Sequence, residues 1–99
     1  MAKQNKQEIE RIKKAVAGVL KKQGIKKAGL FGSYARGEQK KGSDIDILIE
    51  PTKEMTLLDV VRLEMLLKKI LKRKIDLLTY NGINPYLKEQ ILSEEVKVI

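Results

Sequence analysis

Residues 44–50 read Asp-Ile-Asp-Ile-Leu-Ile-Glu, and Pro51 follows. Three β-branched residues two apart fall on one side of an extended chain. Ile45, Ile47 and Ile49 therefore define a face that must be core. Asp44, Asp46, Leu48 and Glu50 share the opposite face. Pro51 cannot donate to a ladder and ends the strand. A strand so patterned needs neighbouring strands and a helical layer over its isoleucines.

The remaining chain supplies both. Ile9, Ile12, Val16, Val19 and Leu20 recur at helical spacing and predict a helix over 5–22. Asn5 with Glu8 resembles a capping box, and Gly24 is a natural stop. Ala28–Phe31 reads as a short buried strand broken by Gly32 and Ser33, with one helical turn over 34–38 and a polar loop over 39–43. A second helix is predicted over 56–72, with Thr56 and Asp59 as its capping box. Leu57, Val60, Val61, Met65, Leu67, Ile70 and Leu71 are its expected core residues, and Met55 is expected to be core or a staple. Ile75–Tyr80 alternates Ile75, Leu77 and Thr79 against Asp76, Leu78 and Tyr80. Asn84-Pro85 opens a short helix, with proline at its first position, and 96–99 adds an edge strand. The order α-β-(turn)-β-α-β-α-β predicts an α/β (α+β) domain over 1–99, with a small mixed sheet of three to four strands.

Composition narrows the chemistry. The 99 residues include no cysteine and no histidine. Disulfides, thiolate sites, His-ligated zinc and imidazole bases are thereby excluded. Carboxylates, hydroxyls, lysines, arginines and recruited ions remain. The polar N-terminal segment and the absence of an apolar run of roughly 18 residues lead to the expectation of a soluble cytoplasmic protein without membrane association. Lys+Arg total 21 against 13 Asp+Glu, a net charge of +8. This balance suits an acidic partner, or simply a solvated lysine-rich surface. Phe31, Tyr34, Tyr80 and Tyr86 are too few and too scattered for a base-stacking platform, which argues against nucleic acid.

Asp44 and Asp46, at i and i+2 on one strand face, stand roughly 6.5–7 Å apart at the backbone. Their side chains can converge on one or two divalent ions, for which carboxylates are matched ligands. Taken alone they equally suit a solvated strand face. The segment is no EF-hand, because the sixth loop position holds isoleucine instead of glycine. Asp76 is the single acid of the third strand. It stands beside Asp44 and Asp46 if the two strands are neighbours, and points to water if its strand is an edge. Gly32-Ser33, between a strand and a turn, offers backbone N–H groups and a hydroxyl to phosphate oxygens, or makes an ordinary tight turn. It is not a P-loop, since G-x-x-x-x-G-K-[ST] is absent. Arg36 lies three residues past Ser33 on the same side of the turn, where its guanidinium could clamp a phosphate. Ser43, immediately before Asp44, completes the nucleotide-binding candidates.

The string GSYARGEQKKGSDIDILIE, with Asp76 on the next strand, resembles the signature of the polymerase-beta-type nucleotidyltransferases. It is most similar to the minimal nucleotidyltransferase (MNT) antitoxins of bacteria and archaea. Gly32 and Ser33 take the Gly-Ser place, Asp44 and Asp46 the paired acids, and Asp76 the third. The resemblance implies the nucleotidyltransferase fold and two Mg2+ ions held by the three aspartates, with Asp76 beside the attacking oxygen. It also implies transfer of AMP or another nucleoside monophosphate from ATP or another triphosphate. The implied acceptor is a tyrosine of a cognate HEPN-domain toxin, in a type VII-like toxin–antitoxin pair. Other readings are an antitoxin that masks its toxin by binding alone, a small basic nucleic-acid-binding protein, and the same enzyme acting on a small molecule. The last would need a homo-oligomer to build its pocket.

Overall fold

The computed structural model describes residues 2–38 and 44–99, with side chains from residue 7. Its elements are α1 (Ala2–Lys22), β1 (Ala28–Phe31), α2 (Gly32–Arg36), β2 (Ile45–Ile49), α3 (Leu57–Leu71), β3 (Ile75–Thr79), a 3₁₀ turn (Tyr80–Gly82), α4 (Pro85–Glu94) and β4 (Val96–Lys97). The sheet order is β3-β2-β1-β4. β1 pairs antiparallel with β2 and with β4, while β2 and β3 run parallel. This is the mixed α/β architecture expected from the sequence.

The isoleucine face of β2 is the core. Ile45, Ile47 and Ile49 are fully buried with Leu30, Val16, Leu20, Leu63 and Leu67, so α1 and α3 cover this side of the sheet. Burying one such side chain is worth about 1.5–3 kcal/mol. A one-residue slip of β2 would expose all three isoleucines and drive the aspartates inward, so the register is strongly held. On the opposite face Leu48 packs with Phe31 and Ile83 beneath Leu78, Tyr80 and Ile91. The carboxylates lie on this face where β2 and β3 begin, with Asp46 across from Phe31.

Several local features match expectation. Thr56 and Asp59 form the capping box of α3, Asn84 caps α4 with Pro85 at its first turn, and Gly24, at φ 83°, follows the end of α1. Others differ. α1 begins at Ala2, which places Asn5 inside the helix instead of at its cap. α2 starts at Gly32, two residues before the expected turn, and ends at Arg36 against Gly37 in the left-handed region. Tyr80 leaves β3 to open the 3₁₀ turn.

The largest correction concerns α3. Leu63 and Leu67 are its buried residues, and Val60 and Leu71 are half-buried against the core. Leu57, Val61, Met65 and Ile70, expected inside, are exposed. The cause is geometric: one face of a helix meets the sheet, and α3 has apolar residues on more than one face. Met55 does pack on the core, as expected.

Lys72 ends α3 in the left-handed conformation (φ 54°), donating its N–H to the Lys68 carbonyl. A side chain costs roughly 1 kcal/mol there, less a partial offset from the greater unfolded-state freedom of glycine. Lys72→Gly is therefore expected to raise unfolding free energy by about 0.5 kcal/mol in urea titration. A loss of stability would mean that the lysine side chain makes a compensating contact.

Candidate active site

The parallel pairing of β2 and β3 sets Asp46 directly beside Asp76. Residues in register on adjacent strands point to the same face, so both carboxylates stand on the side away from α1 and α3. β3 is an edge strand and Asp76 is exposed, as is Asp44, whereas Asp46 is half-buried. Asp76 thus meets both of its sequence readings, bordering solvent while still adjoining Asp46.

Asp46 also lies against the α2 turn. Gly32 has φ +72°, and a Cβ built on it would collide with the Asp46 carboxylate and come within 3.0 Å of its Cγ. The position requires glycine both for its backbone conformation and for this close approach. The N-cap of α2 is Phe31, whose side chain makes no capping hydrogen bond. The turn therefore presents its first N–H groups, with half-buried Ser33, next to a carboxylate.

The electrostatics report crowding. Burial, then Asp76, then Asp44 push the Asp46 carboxyl up to about 6, while Arg36 acts in the opposite direction. Arg36 is near enough to feel the cluster, but its guanidinium is bound to Glu38 (3.1 Å) and Glu94 (3.0 Å). Those two acids raise its pKa further. Ser43 lies outside the described residues.

An arrangement the sequence did not reveal holds α2 in place. Tyr34 is fully buried. Its hydroxyl donates to Glu8 (3.4 Å) and accepts from Arg73, while Arg73 also pairs with Glu8 at 3.2 Å. The network joins α1, α2 and the residues leading into β3, across 26 and 65 positions of sequence. No local pattern announces contacts so distant. The available signal was the adjacency of Tyr34 to Ser33 in a chain with only four aromatic residues.

Three hard oxygen donors of like charge suit a divalent cation. The upward shift of Asp46 comes first from burial and then from repulsion by Asp76 and Asp44, and a bound cation would offset both. Among the described residues no three acidic side chains already stand at ligand spacing around one point. Asp44 and Asp76, both exposed, would close the set by rotamer change. The residues therefore fit Mg2+ as an open, acid-lined trough instead of a preformed cage.

Comparison with known proteins identifies the family. Residues 9–98 match the family described as nucleotidyltransferase domain. A relative from Methanocaldococcus jannaschii, assigned as protein adenylyltransferase MJ0435, is 50% identical over 91 residues, 92% of this chain and 98% of that protein. A solved structure assigned as a minimal nucleotidyltransferase superposes with TM-score 0.78 at 33% identity, covering 91% of this chain and 92% of that one. A solved complex of tri-AMPylated Shewanella oneidensis HEPN toxin with MNT antitoxin shares the fold, with TM-score 0.72 at 18% identity, over 92% of this chain and 71% of that one. The chain belongs to the nucleotidyltransferase domain family, in its minimal form.

The Asp46 shift has a consequence for stability. Its carboxyl binds a proton more tightly when folded (about 6) than when unfolded (3.8). Folding therefore loses stability as pH rises from about 4 to about 6, and the loss persists above that window. Without divalent cations, Asp46→Asn is expected to be more stable than the native chain at pH 7.5 by thermal denaturation in EDTA. The margin should shrink as pH falls toward 4. A margin independent of pH would contradict the burial and crowding of this carboxylate.

Proposed function

We propose that this nucleotidyltransferase moves AMP from ATP to a hydroxyl of an acceptor protein, and that the acceptor is a tyrosine of a HEPN-domain toxin that it neutralises. The observation that carries this reading is the Asp46 carboxylate, set between Asp76 on one side and the Gly32 turn on the other. A nucleotide triphosphate has its own two needs, donors for its terminal phosphates and acids near its α-phosphate, and that position brings both together.

In this reading Ser33 and the first N–H groups of α2 hold the β- and γ-phosphates. Arg36 exchanges Glu38 or Glu94 for a phosphate oxygen, a swap favoured by its exposure. Ser43 joins the nucleotide side. Asp44, Asp46 and Asp76 would hold Mg2+, which when bound neutralises phosphate charge and lowers the pKa of the acceptor hydroxyl. Asp76, at the open edge of the sheet, receives the acceptor from solvent and takes up the proton of its hydroxyl. The hydroxyl oxygen attacks the α-phosphorus, and pyrophosphate leaves in line. The protein's contribution is positioning and pre-arranged charge. No helix is long and apolar enough to cross a membrane among the described residues.

The relative assigned as a protein adenylyltransferase supports the acceptor class. The solved complex, in which an antitoxin of the same fold sits with an AMPylated HEPN toxin, supports the partner. The test is incubation of the chain with α-labelled ATP, Mg2+ and a HEPN-domain protein from the same genome. Label is expected on that protein. Asp44→Asn or Asp46→Asn should cut labelling by at least about a hundredfold without changing the circular dichroism spectrum. A double variant that transfers nothing yet still neutralises the toxin would replace this reading with masking by binding.

A further inference from the structure

The exposed face of α3 is the surface feature that catalysis does not explain. Leu57 is 80% exposed, Leu58 57%, Val61 46% and Met65 63%. At 100° per residue these four fall within about one-third of the helix circumference, forming one apolar ridge two turns long. The same stripe continues toward the C-terminus as Lys69 and Lys72, with Lys68, paired with Glu64 at 3.2 Å, between them and the ridge and Arg62 at its flank. The exposed apolar residues of α4, namely Tyr86, Leu87 and Leu92, point in different directions around their helix and form no such ridge.

We propose that this face docks the protein that carries the acceptor hydroxyl, an inference that rests on the transfer reading above. The occupant is a partner helix with an apolar ridge continued by carboxylates. Contiguous exposed apolar surface marks interaction sites, and the cationic half of the stripe selects an acidic complement. A second copy of this chain fits poorly. Packed parallel it would set lysines on lysines, and packed antiparallel it would set lysines on leucines, leaving both uncompensated. Position also suits the role. α3 connects two parallel strands, so it runs antiparallel to them, and its lysine end lies where β2 and β3 begin. Asp46 and Asp76 stand at that same end on the other face of the sheet, so a partner seated on the stripe reaches the trough round the open edge of β3.

The experiment compares the native chain with Leu58→Asp/Met65→Asp and with Arg62→Glu/Lys69→Glu. It measures affinity for the HEPN-domain protein used in the labelling test by calorimetry and affinity for a fluorescent ATP analogue. The apolar variant is expected to lose at least tenfold in partner affinity. The charge variant is expected to lose at least threefold at low salt, with a smaller loss at high salt. Analogue affinity and thermal midpoint should stay unchanged in both. Native-like partner binding by the apolar variant, or no binding by the native chain, overturns the proposal. So does a native dimer in sedimentation that the apolar variant dissociates, because it assigns the ridge to a second copy. The transfer reading fails separately: a native chain that binds the partner through this face but labels nothing sinks transfer and leaves the docking face standing.

Discussion

Two carboxylates placed side by side on neighbouring parallel strands repel each other, and the fold must hold them there. Strands in a sheet are about 4.8 Å apart, and Asp46 faces Asp76 directly across that gap. The restraint comes from the opposite side of the sheet, where Ile45, Ile47, Ile49, Ile75 and Leu77 lock the two strands against α1 and α3. Together those five side chains contribute several times what a half-solvated carboxylate pair is expected to cost. The core therefore fixes the register, and the register brings the acids together.

The turn after β1 depends on the same arrangement. Because Asp46 leans on the α carbon of Gly32, the acids and the backbone donors of α2 occupy one small region. Tyr34, clasped by Glu8 and Arg73, keeps α2 from moving away while linking it to the segment that enters β3. A second pairing, of Tyr80 with Glu95, closes the far end of the same sheet face, where Lys27 lies over the Tyr80 ring at 4.6 Å. Rigid supports at both ends leave an acid-lined trough whose three aspartates are in no ion pair among the described residues. That is the physical basis for reading it as a site for a cation and a phosphate chain.

The local pattern of the sequence conveyed much of this. The alternation in residues 44–50 defined both faces of β2, and the caps at Thr56 and Asn84 followed from side-chain chemistry with a reach of three residues. The pairing of Asp46 with Asp76 was different in kind. It needed the two strands to be neighbours, which the acids suggested only through family resemblance. The surroundings of Arg36 were beyond sequence reasoning, since Glu94 is 58 positions away. The exposure of α3 was misread because an apolar residue at helical spacing looks the same whether it faces a core or a partner. Asn5 was misread because a capping pattern carries no signal of how far the helix extends before it.

The most direct test of the central claim is a crystal structure with Mn2+ and a non-hydrolysable ATP analogue. The account predicts anomalous manganese density in contact with carboxylate oxygens of Asp44, Asp46 and Asp76. It also places the terminal phosphates of the analogue against Ser33 and the amides of α2. Manganese bound elsewhere, or an analogue seated away from the Gly32 turn with these three acids facing only water, would contradict it.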